Sequence, residues 1–229
     1  MVGRLRLLLS LCWHFFFSGG ALVVSRALRR KKVGPVVREN GRGVIPRNPQ
    51  DMLAETNRDL QSEGLPSIDL DTYALARALN SEHGSESETV RTWVAWAIRN
   101  NADNRKTGVY ERLTTSRGPA SGMFARQRTD ARYAATNQAP TYEDVQIAHD
   151  VLNAPASADP TGGATNFFSP RTQNILFAKA QAGDPRFVGR ITVDAEGLRQ
   201  RWARNGLVSI GEPPGAPAGK VEFFRRANA

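Results

Sequence analysis

The feature that most constrains the fold is an apolar stripe that begins at residue 90. Its members recur every three or four residues: Val90, Trp93, Val94, Ala97 and Ile98. This spacing places them on one face of an α-helix. Ser85 and Glu88 stand in the S-x-x-E relation of a capping box, which predicts that the helix starts just after Ser85. Upstream, a second and shorter helical pattern runs from Tyr73 to about Asn80.

Glu82 lies where the upstream helix is expected to end, beside a turn that contains Gly84. Two apolar helices therefore flank this acidic residue. A carboxylate placed against an apolar surface has a raised pKa and can hold its proton near neutrality. A general acid needs this property, so Glu82 is the candidate catalytic residue.

The charge of the chain is unevenly distributed along its 229 residues. Residues 1–50 hold ten basic residues and one acidic residue, whereas residues 51–229 hold 21 of each sign. The folded part therefore has no overall excess of positive charge of the kind that binds a polyanion. We expect no nucleic-acid partner for it. Within it, residues 51–98 are acidic and residues 99–132 are basic. This separation either steers an anionic polymer along a cleft or reflects two solvated faces.

Cysteine and histidine usage excludes several kinds of site. The only cysteine is Cys12, which excludes a disulfide framework, a zinc–cysteine cluster or a cysteine nucleophile in the domain. The three histidines form no H-E-x-x-H motif, which argues against a zinc peptidase or amidase. We therefore expect neither a metal nor a cofactor.

The N-terminal arm, residues 1–32, combines an apolar run with a basic cluster. Leu7–Val24 has the length of a signal peptide or of a membrane anchor. The five basic residues that follow between positions 26 and 32 favour the cytoplasmic side of a membrane. The arm is thus a signal, an anchor, a docking tail for a membrane or an assembly, or an extension from a misassigned start codon. The Gly, Pro, Asn and Arg content of residues 33–66 predicts a mostly extended linker. The folded domain is then expected to span residues 67–229.

Capping and turn residues predict the remaining elements. Thr141 with Asp144 three residues later is typical of a helix start, and Ser169-Pro170 fits an N-cap followed by the first helical position. Further helices are expected over residues 141–153, from 169 to just before 183, and over 194–205. Strands are expected over residues 186–193, 207–211 and 221–224. Gly and Pro punctuate residues 114–128, which predict a loop or short strands around a turn.

Four segments carry a family resemblance. They are Glu82-His83-Gly84-Ser85-Glu86 with the helix after it, Gly122-Met123-Phe124 with Gln127, Asp159-Pro160-Thr161-Gly162-Gly163-Ala164 with Phe167, Phe168 and Pro170, and Ile210-Gly211 with Phe223-Phe224. Together they resemble the SleB-type cell wall hydrolases, relatives of the spore-cortex-lytic enzymes. The resemblance covers about residues 73–224, and the Asp-Pro-Thr-Gly-Gly-Ala run is its most specific part. It implies an α+β, mainly helical, lysozyme-like domain with short strands, which acts on peptidoglycan glycan strands.

The residues suit glycan cleavage. Breaking the MurNAc–GlcNAc bond needs a proton on the glycosidic oxygen as an oxocarbenium-like centre forms, and Glu82 is the candidate acid. In the route that the resemblance implies, Glu82 then acts as base on the MurNAc 6-hydroxyl and a 1,6-anhydro sugar forms. A hydrolytic, lysozyme-type muramidase would need a second carboxylate, for which Glu86 and Asp159 are the candidates. We favour the lytic transglycosylase route.

Five residues of the matching segments are candidates for substrate binding: Phe124, Gln127, Thr165, Asn166 and Phe168. Phe167 and Phe168 alternate along an extended segment, so one is expected in the core and the other can stack on a sugar face. Two further classes stay open. One is a wall-binding or structural component of a phage tail or secretion assembly, and the other is a nucleic-acid or membrane protein led by its arm. An enzyme of this kind is expected in the cell envelope. A structural component is instead expected in a phage virion or a secretion assembly.

Overall fold

The computed structural model describes residues 22–34, 49–83, 86–114 and 139–227, with the backbone alone for residues 81–83. Its helices are α1 (Pro49–Ser62), α2 (Leu70–His83), α3 (Glu88–Arg105), α4 (Val109–Thr114), α5 (Tyr142–Asn153), α6 (Pro170–Gln181) and α7 (Ala195–Arg204). Its strands are β1 (Asn166–Phe168), β2 (Leu207–Gly211) and β3 (Glu222–Arg226), and a short 3-10 helix spans Ala156–Ala158. The prediction of a mainly helical α+β protein is confirmed.

Helix α3 lies at the centre of the fold. Four members of the predicted stripe are buried, and Trp93 packs against the core from a partly buried position. Trp96 is also buried, with the Arg99 guanidinium 4.8 Å from its ring centre, so α3 is enclosed on more than one face. The helix begins at Glu88, and Ser87 caps it by accepting a hydrogen bond from the Val90 amide. The predicted start after Ser85 was therefore too early.

Helices α2, α4 and α5 pack with α3 around the main core. Helix α1 joins them where the sequence predicted an extended linker over residues 33–66. Its Met52, Thr56 and Leu60 recur every four residues and are buried. Polar and charged residues outnumber the apolar ones in this segment, which hid the helical period. The linker prediction is wrong for the residues of α1.

Residues 22–34 pack on the beginning of α5. Leu22, Val24 and Val33 are buried in the core. The first amides of a helix have no partner within the helix. Here the amides of Tyr142 and Glu143 donate to backbone carbonyls of this segment, each at 3.1 Å. Part of the predicted arm therefore completes the domain. Within the described ranges, no helix combines the length and apolar character needed to cross a bilayer.

The three strands form an antiparallel sheet in the order β1-β3-β2. Neighbouring side chains of a strand point to opposite faces. On one face Phe223 meets Trp93 of α3 at 5.3 Å between ring centres, and on the other Phe224 meets Trp202 of α7 at 4.8 Å. Both residues are buried, so the central strand β3 is covered on both sides.

The strands predicted over 207–211 and 221–224 are confirmed as β2 and β3. The strand predicted over 186–193 is wrong, because this segment forms turns. Asp184 explains the difference, since its carboxylate accepts hydrogen bonds from the backbone amide and the guanidinium of Arg186. A side chain that bonds to nearby backbone in this way closes a local turn instead of freeing the segment for a sheet.

Candidate functional site

The candidate acid lies at the C-terminal end of α2. Residue 82 belongs to the last turn of this helix, which ends at His83. Leu75, Ala78 and Leu79 are fully buried. The helical repeat places residue 82 on the same face as these three positions. Position 82 therefore continues the helical repeat of these buried positions in the last turn of α2.

A buried polar network fixes this end of α2. The Asn80 amide donates to Asp144 at 3.1 Å, and the Arg91 guanidinium donates to the other oxygen of Asp144 at 2.7 Å. Burial disfavours the charge of Arg91, but hydrogen bonds and charges from Glu143 and Asp144 outweigh it and raise the pKa of Arg91. Lys32 adds a hydrogen bond from its ammonium to the side-chain oxygen of Asn80 at 2.8 Å. Helices α2, α3 and α5 and the N-terminal segment therefore meet two residues before Glu82.

Glu86 lies in the connection between α2 and α3. Its side chain is 14% exposed, and one of its oxygens lies 2.7 Å from the Lys220 ammonium, which is 41% exposed. Lys220 lies two residues before the start of β3. The pair therefore joins the α2–α3 connection to the entrance of the central strand.

Asp159, the other candidate for a second carboxylate, serves its own turn. One oxygen accepts hydrogen bonds from the amide and hydroxyl of Thr161 at 2.8 and 2.7 Å. The other accepts from the Gly163 amide at 2.9 Å and from the Asn100 side chain at 2.8 Å. Gly162 and Gly163 have φ of 57° and 90°, where glycine is favoured. The Asp-Pro-Thr-Gly-Gly-Ala run thus builds a turn that is fastened to α3.

Thr165 and Asn166 lie at the far half of α3. The Asn101 side chain donates to the Thr165 carbonyl at 2.9 Å, and the Thr165 hydroxyl donates to the Asn166 side chain at 2.9 Å. Both residues are 8% exposed. A rise of about 1.5 Å per residue puts Asn101 about 20 Å along α3 from its start. The structure therefore does not bring Thr165 and Asn166 to the connection that holds Glu86.

The two phenylalanines of β1 face opposite sides of the sheet, as the alternation predicted. Phe167 lies against Phe223 on the α3 side, with 5.6 Å between ring centres. Phe168 stacks on Phe224 at 5.6 Å and meets the edge of Trp202 at 5.3 Å. The Phe168 ring thus has protein partners in an aromatic cluster. The other two candidates for substrate binding, Phe124 and Gln127, lie outside the described residues.

Sequence reasoning missed the residues that hold these segments together. Lys220, Asn100, Asn101 and Arg91 each bond to a residue that is distant along the chain. The adjacent asparagines after Ile98 are the one local signal, because they break the apolar pattern of α3 with two side chains able to donate to backbone carbonyls. In the described part of the chain, no three His, Cys, Asp or Glu side chains gather as metal ligands would.

No protein-family model, no curated protein and no solved structure matches this chain.

Proposed function

We propose that the chain is a peptidoglycan-degrading glycosidase that cuts the MurNAc–GlcNAc glycan strand, and that it works as a lytic transglycosylase in a lysozyme-like domain. Glu82 is its general acid and base. One observation carries the proposal: residue 82 lies in the last turn of α2, at the helical repeat of the buried Leu75, Ala78 and Leu79, and Glu86 follows in the connection to α3. The resemblance of Glu82–Glu86, with the helix after it, to SleB-type hydrolases supports the same assignment.

The reaction uses one carboxyl group twice. Glu82 gives its proton to the glycosidic oxygen while the bond from that oxygen to the MurNAc C1 breaks and positive charge develops on the sugar ring. The resulting carboxylate then takes the proton of the MurNAc 6-hydroxyl as the 6-oxygen bonds to C1. One product ends in 1,6-anhydroMurNAc and the other in a free GlcNAc hydroxyl, and Glu82 is protonated again. Water is not consumed.

Such a mechanism requires an acid whose supporting helix does not move. A catalytic group contributes fully only when its geometry is fixed before the substrate arrives. The hydrogen bonds among Asn80, Asp144 and Arg91 join the end of α2 to α3 and α5. In this proposal the buried network is the support that keeps the general acid in place.

Three of the residues predicted to bind the substrate have structural contacts within the protein. Thr165 and Asn166 are buried, and the Thr165 carbonyl accepts a hydrogen bond from α3, so neither is proposed to bind the substrate. Phe168 has ring partners within the protein and is also left out. The glycan strand is expected to lie across the connection between α2 and α3, and the protein is expected to act in the cell envelope.

The test is to incubate the full chain with purified sacculi and to identify the released sugars by mass spectrometry. The proposal predicts muropeptides that end in 1,6-anhydroMurNAc. Reducing ends would indicate a hydrolytic muramidase. A protein that binds sacculi and releases nothing would be a wall-binding component, and free peptides would indicate an amide-cleaving enzyme; either result would contradict the proposal.

A further inference from the structure

We propose that the Glu86–Lys220 ion pair determines which product the enzyme forms. The pair withholds Glu86 from water, so the cleaved sugar is closed by its own 6-hydroxyl instead of being hydrolysed. This inference rests on the proposed function and assigns Lys220 as a positioning residue for the outcome of that reaction.

Lys220 is held firmly by its neighbours in the chain. The Gly219 amide donates to the Glu212 carboxylate at 2.6 Å, and the Gly219 carbonyl accepts a hydrogen bond from the Arg171 amide at 2.9 Å. On the other side, Val221 is buried in the core. The backbone around Lys220 is therefore fixed on both sides, and its ammonium is presented to Glu86.

Glu86 is the described carboxylate nearest to Glu82 along the chain, and we take it as the group that could assist water in this reaction. Glu86 follows Glu82 by four positions, so their backbones lie at most about 14 Å apart. Both carboxylate separations used by glycosidases, about 5–5.5 Å and about 6.5–9.5 Å, fit within that reach. Asp159 is engaged by four hydrogen bonds, and Glu88 is exposed and pairs with Arg29 at 3.2 Å.

A general base must accept a proton from water through an oxygen within hydrogen-bonding reach. The Lys220 ammonium lies 2.7 Å from one Glu86 oxygen, in direct ion-pair contact. The low exposure of Glu86 further limits the approach of water. The MurNAc 6-hydroxyl is already attached to the reacting sugar and has the advantage of an intramolecular group.

The experiment compares product ends from sacculi treated with the full chain and its variants. Lys220→Met keeps the apolar stem and removes the cation, so Glu86 is released to activate water. We expect the ratio of reducing ends to anhydro ends to rise about tenfold or more, because a positioned general base contributes about 10²–10⁴-fold to a rate. Lys220→Arg retains a cation and should keep the wild-type ratio.

A double variant separates this role from a structural one. Lys220→Met combined with Glu86→Gln lacks both the cation and the base, and it should return to the wild-type ratio. A pair that only stabilised the fold would lower total release without changing the ratio. Should circular dichroism show that Lys220→Met is unfolded, Lys220→Gln replaces it and is judged by the same ratio.

Two results would overturn the inference while leaving glycan cleavage intact. One is an unchanged ratio in the folded Lys220 variant, and the other is a wild-type protein that forms mainly reducing ends. Failure of glycan cleavage itself looks different, because the wild type would then release no glycan fragments at all.

Discussion

At the scale of single residues, Asp144 shows how a buried charge is accommodated. It is fully buried, and its oxygens accept hydrogen bonds from Asn80, from Arg91 and from the amide and hydroxyl of Thr141. A buried ion pair adds little net stability, but removal of one partner leaves the other charge uncompensated. The network therefore acts chiefly to hold α2, α3 and α5 in one arrangement.

Replacement of Arg91 by methionine should destabilise the protein by about 3–5 kcal/mol, because the Asp144 carboxylate loses its only cationic hydrogen-bond partner among the described residues. Urea unfolding measures the effect as a lower midpoint at unchanged slope. Arg204→Met, at an exposed position of α7, is the matched control and should change the stability by less than about 0.5 kcal/mol. Equal midpoints for the two variants would contradict this account of the network.

Glu82→Gln should lower the release of muropeptides by about 10²–10⁴-fold or more, since an amide cannot supply the proton. Binding to sacculi, measured by co-sedimentation, should be retained because the side chains are nearly equal in size. Glu111→Gln, at an exposed position of α4, is the control and should release muropeptides at the wild-type rate. Normal sugar release by the Glu82→Gln variant would rule out Glu82 as the acid.

At the scale of elements, Asp159 was a candidate second carboxylate, but its side chain stabilises a turn. Its carboxylate closes the turn and receives the Asn100 side chain of α3. Asn100 and Asn101 also donate to the carbonyls of Ala164 and Thr165. These bonds fix the residues just before β1 against α3. Strand β1 in turn pairs with β3.

Asp159→Asn should lower the free energy of unfolding by about 1–3 kcal/mol, because the new amide group replaces an acceptor with a donor and leaves partly buried donors of the turn unsatisfied. Denaturant unfolding measures this loss, and the folded variant should still release anhydro muropeptides. Asp103→Asn, with a 65% exposed side chain, is the control. Unchanged stability together with lost activity would instead make Asp159 a catalytic carboxylate.

At the scale of the whole molecule, the acidic stretch 51–98 and the basic cluster before it partly compensate each other. Lys31 pairs with Glu63 at 2.7 Å, and Arg29 pairs with Glu88 at 3.2 Å. These pairs are substantially exposed, so each contributes little stability and mainly orients the segment. The Lys32 ammonium is partly removed from water at Asn80, and this burial lowers its pKa. The charge separation seen in the sequence is thus partly an internal match between two segments.

Removal of residues 1–34 should destabilise the protein strongly, because Leu22, Val24 and Val33 are part of the core. Burial of one such side chain contributes about 1.5–3 kcal/mol. A chain that starts at residue 22 keeps all three and is the control. Thermal unfolding of the two truncated chains should show a clear loss only for the shorter one. Similar unfolding temperatures would mean that residues 22–34 do not belong to the domain.

The sequence alone determined those features that depend on neighbouring residues. The capping pair Thr141 and Asp144 and the Ser169 N-cap were both predicted correctly, because each bonds to amides within three residues. The apolar stripe of α3 was equally readable, since helical periodicity is a local property. The two closing strands followed from short apolar runs bounded by Gly and Pro.

Only the tertiary structure decided which segments meet. The pairing of Glu86 with Lys220, the fastening of residues 159–165 to α3 and the packing of residues 22–34 all join distant parts of the chain. Helix α1 needed the same information, because its polar sequence forms a helix where a core is available to bury Met52 and Leu60. Local chemistry selects an element, whereas the choice of its partner depends on the surfaces that every other element leaves uncovered.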